Sequence, residues 1–128
     1  MTGWVLVALS GAAGAVSRYG VGLLAVRALG DRFAYGTLAV NVLGCLALGF
    51  LLELERGTDL VSHPVRLMAG VGFLGAFTTF STFGYETLRY LEAGATDLAL
   101  ANVAANLVLG FGAVWIGFVV ARSVFAGA

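Results

Sequence analysis

Lysine is absent from this chain, and cysteine, histidine and proline occur once each in 128 residues. Charge is scarce as well: 11% of residues are charged, against roughly 25% in soluble domains. A water-soluble fold of this size could not hide the apolar remainder. The seven basic residues, all arginine, balance seven acidic ones, so no basic face exists and nucleic acid is set aside as a partner. The lone Cys45 lies in an apolar run, which excludes an intrachain disulfide and a cysteine metal cluster and leaves a small packing residue. His63 has no second ligand at helical spacing and is expected in a loop. One loop histidine and one buried cysteine assemble no metal site, Ser-His-Asp set or Cys-His pair, so an enzyme is not expected. The start, Met1-Thr2-Gly3-Trp4, lacks the basic segment of a cleaved secretory signal, and the first helix is expected to stay in the mature protein.

What is present is apolar and small: 60% hydrophobic residues, 19 glycines and a mean hydropathy of +0.98. Small residues let helix backbones approach closely in lipid. A spanning helix needs about 20 mostly apolar residues, and four such stretches lie between the charges, at about 4–28, 33–54, 65–90 and 97–122. The connections are too short for a soluble domain. Residues 1–128 are therefore expected to form a single four-helix transmembrane domain, an all-α integral membrane fold. Pro64 suits the start of the third span, and Thr96-Asp97 can cap the fourth.

Four spans put both ends of the chain on one side. Arg56, Arg66 and Arg122 then fall on that side, Arg27, Arg32 and Arg89 on the other, and Arg18 inside the first span. Counted by face, the arginines tie, so the positive-inside rule prefers neither orientation. A chain that inserts both ways can pair with itself as an antiparallel, dual-topology homodimer whose two-fold axis lies in the membrane plane. The alternative is a partner protein that sets topology.

Polar groups inside spans are costly, and each is a functional candidate. The third span carries Gly75-Ala76-Phe77-Thr78-Thr79-Phe80-Ser81-Thr82-Phe83-Gly84 after the glycine-rich Gly70-Val71-Gly72, poor material for a continuous helix. Unwound backbone survives in lipid only where protein or a wet cavity covers it, so a break between Gly75 and Thr79, near the middle of the third helix, would offer carbonyls and amides to an ion. After it, Thr78, Ser81, Thr82 and Tyr85 recur at helical spacing and form one hydroxyl face, with Phe77, Phe80 and Phe83 as the neighbouring stripe. Asn41, one turn after Thr37, needs partners in hydrocarbon and could find them on that face. Asn102 and Asn106 add a third donor stripe. The plain alternative is that the hydroxyls bond back within their own helix and the rings face lipid.

Gly36-Thr37-Leu38-Ala39-Val40-Asn41-Val42-Leu43-Gly44, with the run from Gly75 to Phe83 and with Gly14-Ala15-Val16-Ser17-Arg18-Tyr19, resembles the Fluc (CrcB) family of fluoride channels over essentially the whole chain. The resemblance implies an antiparallel dimer with two pores in the cell (inner or plasma) membrane, conducting fluoride and conferring fluoride resistance. It assigns Phe80, Phe83 and Asn41 to the pore wall, with Ser81, Thr82 and Thr37 as polar positions nearby. It makes the backbone carbonyls of Gly75 and Thr78 ligands of a central structural sodium ion (Na+), Arg18 a vestibule residue and Glu86 the acidic residue after the phenylalanine motif. Where the family's fourth-helix polar track carries Tyr, Ser and Ser, this chain has Asn102, Asn106 and Gly110. Asn106 keeps a donor and Gly110 offers backbone alone.

These groups suit fluoride, the halide that holds water most tightly, because amide N–H and hydroxyl donors replace that water at short range. Phenyl ring edges are positive and attract an anion without fixing it. Arg18 is expected near a span end, in an aqueous vestibule where it raises local anion concentration. No ionisable group is expected at the level of Asn41 and Phe80, which predicts passive conduction without proton coupling. A small proton-coupled multidrug exporter is the rival; it needs a carboxylate in its first span, and residues 1–29 hold no Asp or Glu. The second rival is a non-transporting membrane assembly subunit, its glycines serving only as packing spacers.

Overall fold

The computed structural model describes residues 2–125, and every regular element among them is helical. Helix α1 covers Thr2–Leu29 and α2 Tyr35–Gly57. A rod labelled α3 joins an α-helical turn at His63–Val65, a π-helical stretch at Arg66–Leu74 and a further α-helical turn at Gly75–Phe77. Helix α4 covers Phe80–Glu92 and α5 Thr96–Phe125. Four stretches are long and apolar enough to cross a membrane, Thr2–Leu29, Tyr35–Gly57, His63–Glu92 and Thr96–Phe125. They are the four expected spans with ends moved by up to three residues. His63, expected in a loop, instead opens α3 with Pro64 directly behind it, because proline's fixed φ and missing N–H cost nothing in a first turn.

Two glycines close helices. Gly30 (φ 81°) follows α1 and Gly94 (φ 74°) follows α4, a left-handed geometry that side chains with a Cβ resist. Glycine also governs packing. The most extensive interface joins α2 to α5, where a Cβ on Gly49 would come within 2.5 Å of Val114 O and one on Gly117 within 2.5 Å of Leu46 O. Backbone therefore meets backbone across this pair, the close approach that small residues permit in lipid. Gly14 presses in the same way on the main chain of Phe73, joining α1 to α3.

The burial pattern is inverted relative to a soluble protein. Large apolar side chains such as Trp4, Leu9, Phe111 and Trp115 stand exposed on the outside, whereas Asn102 is 0% exposed at the centre. Lipid receives the apolar exterior, and a polar group in the interior must find partners inside the protein. At the end of the bundle where Thr2 and Phe125 lie, Glu53 accepts from Arg56 Nη2 at 2.8 Å and from Arg122 Nε at 2.7 Å, and Arg66 lies 3.5 Å from Glu55. The three arginines assigned to one face by counting spans are thus gathered at one end of the bundle.

Candidate functional site

Two extended residues separate α3 from α4: Thr78 (φ −83°, ψ 158°) and Thr79 (φ −152°, ψ 116°). Side chains account for the geometry. Thr79 is the N-cap of α4, its Oγ1 accepting from Thr82 N–H at 3.2 Å, as threonine commonly does at a helix start. The same hydroxyl lies 3.0 Å from Thr82 Oγ1 and 3.2 Å from Ser81 Oγ. Asn41 of α2 then takes hold of the exposed backbone. Its Oδ1 accepts from Thr79 N–H at 2.8 Å and its Nδ2 donates to Thr79 O at 3.2 Å, so one side-chain amide satisfies both main-chain groups of a residue that no helix serves.

The arrangement differs from the expectation that Asn41 pairs with the hydroxyl face. Its second Nδ2 hydrogen goes to Asn106 Oδ1 at 2.9 Å, and both amide hydrogens are donated within the chain. Asn106 continues to Asn102, and Asn102 to Thr87 of α4 at 2.9 Å. Thr78 also leaves the expected hydroxyl face: being extended, it turns its Oγ1 back to Leu74 O at 3.1 Å and packs its methyl group on Gly44. Ser81, Thr82 and Tyr85 remain on α4, all three exposed, with the Thr82 hydroxyl accepting from Thr79 Oγ1.

The phenylalanine stripe divides at the same place. Phe77 is buried and stacks on Phe73 with centroids 5.7 Å apart. Phe80 and Phe83 form a separate tilted pair at 5.6 Å, with Phe80 82% exposed. Ideal helical spacing would have aligned all three, but the two extended residues rotate α4 relative to α3. Gly110 is buried where α5 meets Cys45 of α2, so the missing side chain there serves helix packing.

A cavity of about 680 Å³ opens beside the extended residues, with Arg18, Thr37, Thr79, Thr82, Tyr85 and Glu86 on its wall. Asn41, Phe80, Phe83, Ser81 and Asn106 lie outside that lining. Thr37 donates to Glu86 Oε1 at 2.8 Å, while Glu86 Oε2 is buried without a partner. Arg18 reaches deeper than its position in α1 implies: Nη1 stands 3.5 Å from Thr78 O, because its long side chain carries the guanidinium away from the backbone that anchors it. A fixed positive charge therefore lies next to Thr79, at the level where the sequence led us to expect none.

Carbonyl oxygens suit a hard monovalent cation, and the two carbonyls expected to ligate sodium differ. Gly75 O has lost its helical partner, since Thr79 N–H donates to Asn41 instead, and Gly75 is exposed. It fits a ligand's role. Thr78 O lies beside the Arg18 guanidinium and fits only where that contact opens. No cluster of His, Cys, Asp or Glu able to hold a metal occurs among the described residues. Two polar residues were not singled out from the sequence, Thr79 and Thr87. Thr79 carried a readable signal as the threonine just before a helix-compatible run, whereas Thr87 looked like any helical hydroxyl.

Fold and site together define a multi-pass helical membrane protein whose Asn41, Asn102 and Asn106 amides, Thr37 and Thr79 hydroxyls and Glu86 carboxylate are paired inside the chain. Comparison with known sequences narrows the class. The chain belongs to the CrcB family: the family described as "CrcB-like protein, Camphor Resistance (CrcB)" matches residues 5–118. It is 51% identical to a protein of Dehalococcoides mccartyi over 113 residues, 88% of this chain and 87% of the relative. Identity is 47% to a protein of Acidobacterium capsulatum, covering 96% and 98% of the two chains. It is 42% to one of Sorangium cellulosum, covering 99% and 100%. All three relatives are named "Fluoride-specific ion channel FluC".

Proposed function

We propose that this chain is a passive, fluoride-selective ion channel of the cell's inner or plasma membrane and not an enzyme. The observation that carries the reading is a coincidence at one level of the bundle. The extended Thr78 and Thr79 are held there by the Asn41 amide, and the Phe80–Phe83 ring pair opens the helix that starts directly after them, in a chain related along its length to proteins named as fluoride channels. Residues 63–92 act as one spanning helix interrupted at the two threonines.

Phe80, at 82% exposure on a polar stretch of helix, gains a partner surface when a second copy packs against it. With basic residues balanced between the two faces, the second copy enters upside down, and the antiparallel homodimer holds two symmetry-related pores. Fluoride collects near the Arg18 guanidinium, which lies on the cavity wall and reaches from α1 to the Thr78 carbonyl. It sheds water to the hydroxyls of Ser81 and Thr82, and passes the positive edges of Phe80 and Phe83. Asn41 and Asn106, with their amide hydrogens already donated, hold the wall in place, and Thr37 keeps Glu86 at the vestibule side. At the two-fold axis, the Gly75 carbonyls of both copies, joined by the Thr78 carbonyls where the Arg18 contact opens, would hold a structural sodium ion and tie the interrupted helices together. Inside-negative voltage, about 2.3 kcal/mol per charge per 100 mV, drives the anion outward.

Fluoride efflux from vesicles containing only the purified chain, followed with an ion-selective electrode and repeated with chloride, tests the function. Rapid fluoride release with little chloride release is expected. Vesicles that retain fluoride, or release chloride equally fast, overturn it.

A further inference from the structure

The asparagines of α2 and α5 form a hydrogen-bonded series with a single direction. Thr79 N–H donates to Asn41 Oδ1 at 2.8 Å, and a main-chain N–H has no second polarity. It fixes which end of the Asn41 amide is oxygen and leaves Nδ2 to face Asn106 Oδ1 at 2.9 Å. Asn106 must then turn its own Nδ2 to Asn102, donating to Oδ1 at 3.1 Å and to the main-chain O at 2.9 Å. Asn102 donates from Nδ2 to Thr87 Oγ1 at 2.9 Å. The Thr87 hydroxyl passes its hydrogen to Phe83 O at 2.8 Å.

Both ends of the series are main-chain groups of one element. Thr79 caps α4, and Phe83 and Thr87 lie within it. The series is therefore a brace that leaves α4 at two heights, runs through α2 and α5, and returns. Asn102, at 0% exposure, has no water to fall back on, and a lost partner leaves a buried polar atom unsatisfied. The segment between the two attachment points carries Phe80, and the far attachment point is Phe83 itself.

We propose that Asn102 and Thr87 are positioning residues for conduction: neither touches the ion, and together with Asn106 and Asn41 they set the angle at which Phe80 and Phe83 face the pore. The inference rests on the fluoride-channel reading and deepens it. Thr87 has its place in the mechanism through its hydroxyl alone, so a serine there serves and an isosteric valine does not.

Fluoride and chloride efflux are measured from vesicles holding the unaltered chain, Thr87→Val, Thr87→Ser, Asn102→Leu and the Thr87→Val/Asn102→Leu pair. Thr87→Val and Asn102→Leu each leave a buried polar group without a partner and free α4 to turn, and each is expected to slow fluoride efflux by about tenfold, the equivalent of about 1.4 kcal/mol on the barrier. Their fluoride-to-chloride ratio falls as well. Thr87→Ser stays within about threefold of the unaltered chain, and the double variant is no slower than the slower single one, because both cut the same series. A serine variant as slow as the valine one overturns the proposal, as do an unimpaired valine variant and losses that add. An unaltered chain that passes no fluoride instead sinks the channel reading itself. A second measurement needs no variant: in the unaltered chain with nitrogen-labelled asparagine, the Asn102 side-chain amide hydrogens should exchange slowly with solvent. Fast exchange there overturns the brace whatever the variants do.

Discussion

Asn41 donates both amide hydrogens and accepts one more within its own chain, which makes it the most demanding polar residue of the interior. Asn41→Asp replaces Nδ2 with an oxygen facing Thr79 O and Asn106 Oδ1, two acceptors then left without a hydrogen. Each unsatisfied group costs about 1–3 kcal/mol of stability, enough to release the Thr79 backbone from α2 and disturb the wall beside it, and fluoride efflux from vesicles should fall clearly below that of the unaltered chain. Efflux equal to the unaltered chain would remove Asn41 from the mechanism. The phenylalanines separate by the same test. Phe80→Ile deletes an exposed ring edge and should abolish efflux. Phe77→Leu alters buried packing on Phe73 and beside Gly44 and should leave efflux intact while lowering the melting temperature in detergent. From the sequence, Asn41 stood out because an amide within a span needs partners, whereas Phe80 and Phe83 were separated from Phe77 only by the family resemblance. The partners of Asn41 did not stand out. Asn41 meets Thr79 across 38 residues and Asn106 across 65, contacts that helical spacing within one span cannot reveal.

At the scale of elements, hydropathy alone located the four spans, because a membrane helix needs a long apolar run whatever its neighbours are. The glycine- and hydroxyl-rich run also marked where regular helix would be hard to keep. It did not say which residues would be extended, since a helix start is chosen by its cap, here the Thr79 hydroxyl, and by the amide that receives the freed backbone. The π-helical stretch Arg66–Leu74 left no trace in the pattern. Helix pairing was legible only as a general need for small residues. The structure makes it specific: Gly49 and Gly117 let α2 and α5 touch backbone to backbone. Gly117→Val forces a branched side chain against Leu46 O and Phe50 N, and overpacking of this kind costs about 1–3 kcal/mol. Thermal unfolding in detergent should shift downward for Gly117→Val. The same change at Gly112, where an added Cβ meets nothing within 4 Å, should leave it unmoved. Equal shifts at both positions would mean that glycine content, and not this contact, matters.

The charge of the whole molecule makes its orientation open to manipulation. Arg56, Arg66 and Arg122 cluster with Glu53 and Glu55 at the end where Thr2 and Phe125 lie, and Arg27, Arg32 and Arg89 belong to the opposite end. Orientation follows the number of basic residues near span ends, with acidic residues contributing little, so the ion pairs with Glu53 and Glu55 do not cancel the count. Asp59→Lys with Leu60→Lys, both in the exposed turn between α2 and α3, raises the terminal face from three basic residues to five. The chain should then insert with its termini predominantly on the cytoplasmic side, as read by labelling single cysteines placed at either end of a Cys45→Ala chain. If conduction requires antiparallel pairs, fluoride efflux from cells should fall with that bias, since like-oriented copies cannot close the two-fold interface. Asp31→Lys with Ala93→Lys biases the chain the opposite way. Neither biased form should conduct well alone, and the two expressed together should recover efflux, because the membrane then holds both orientations. Full conduction by either fixed orientation on its own would leave the channel reading standing and remove the antiparallel dimer from it.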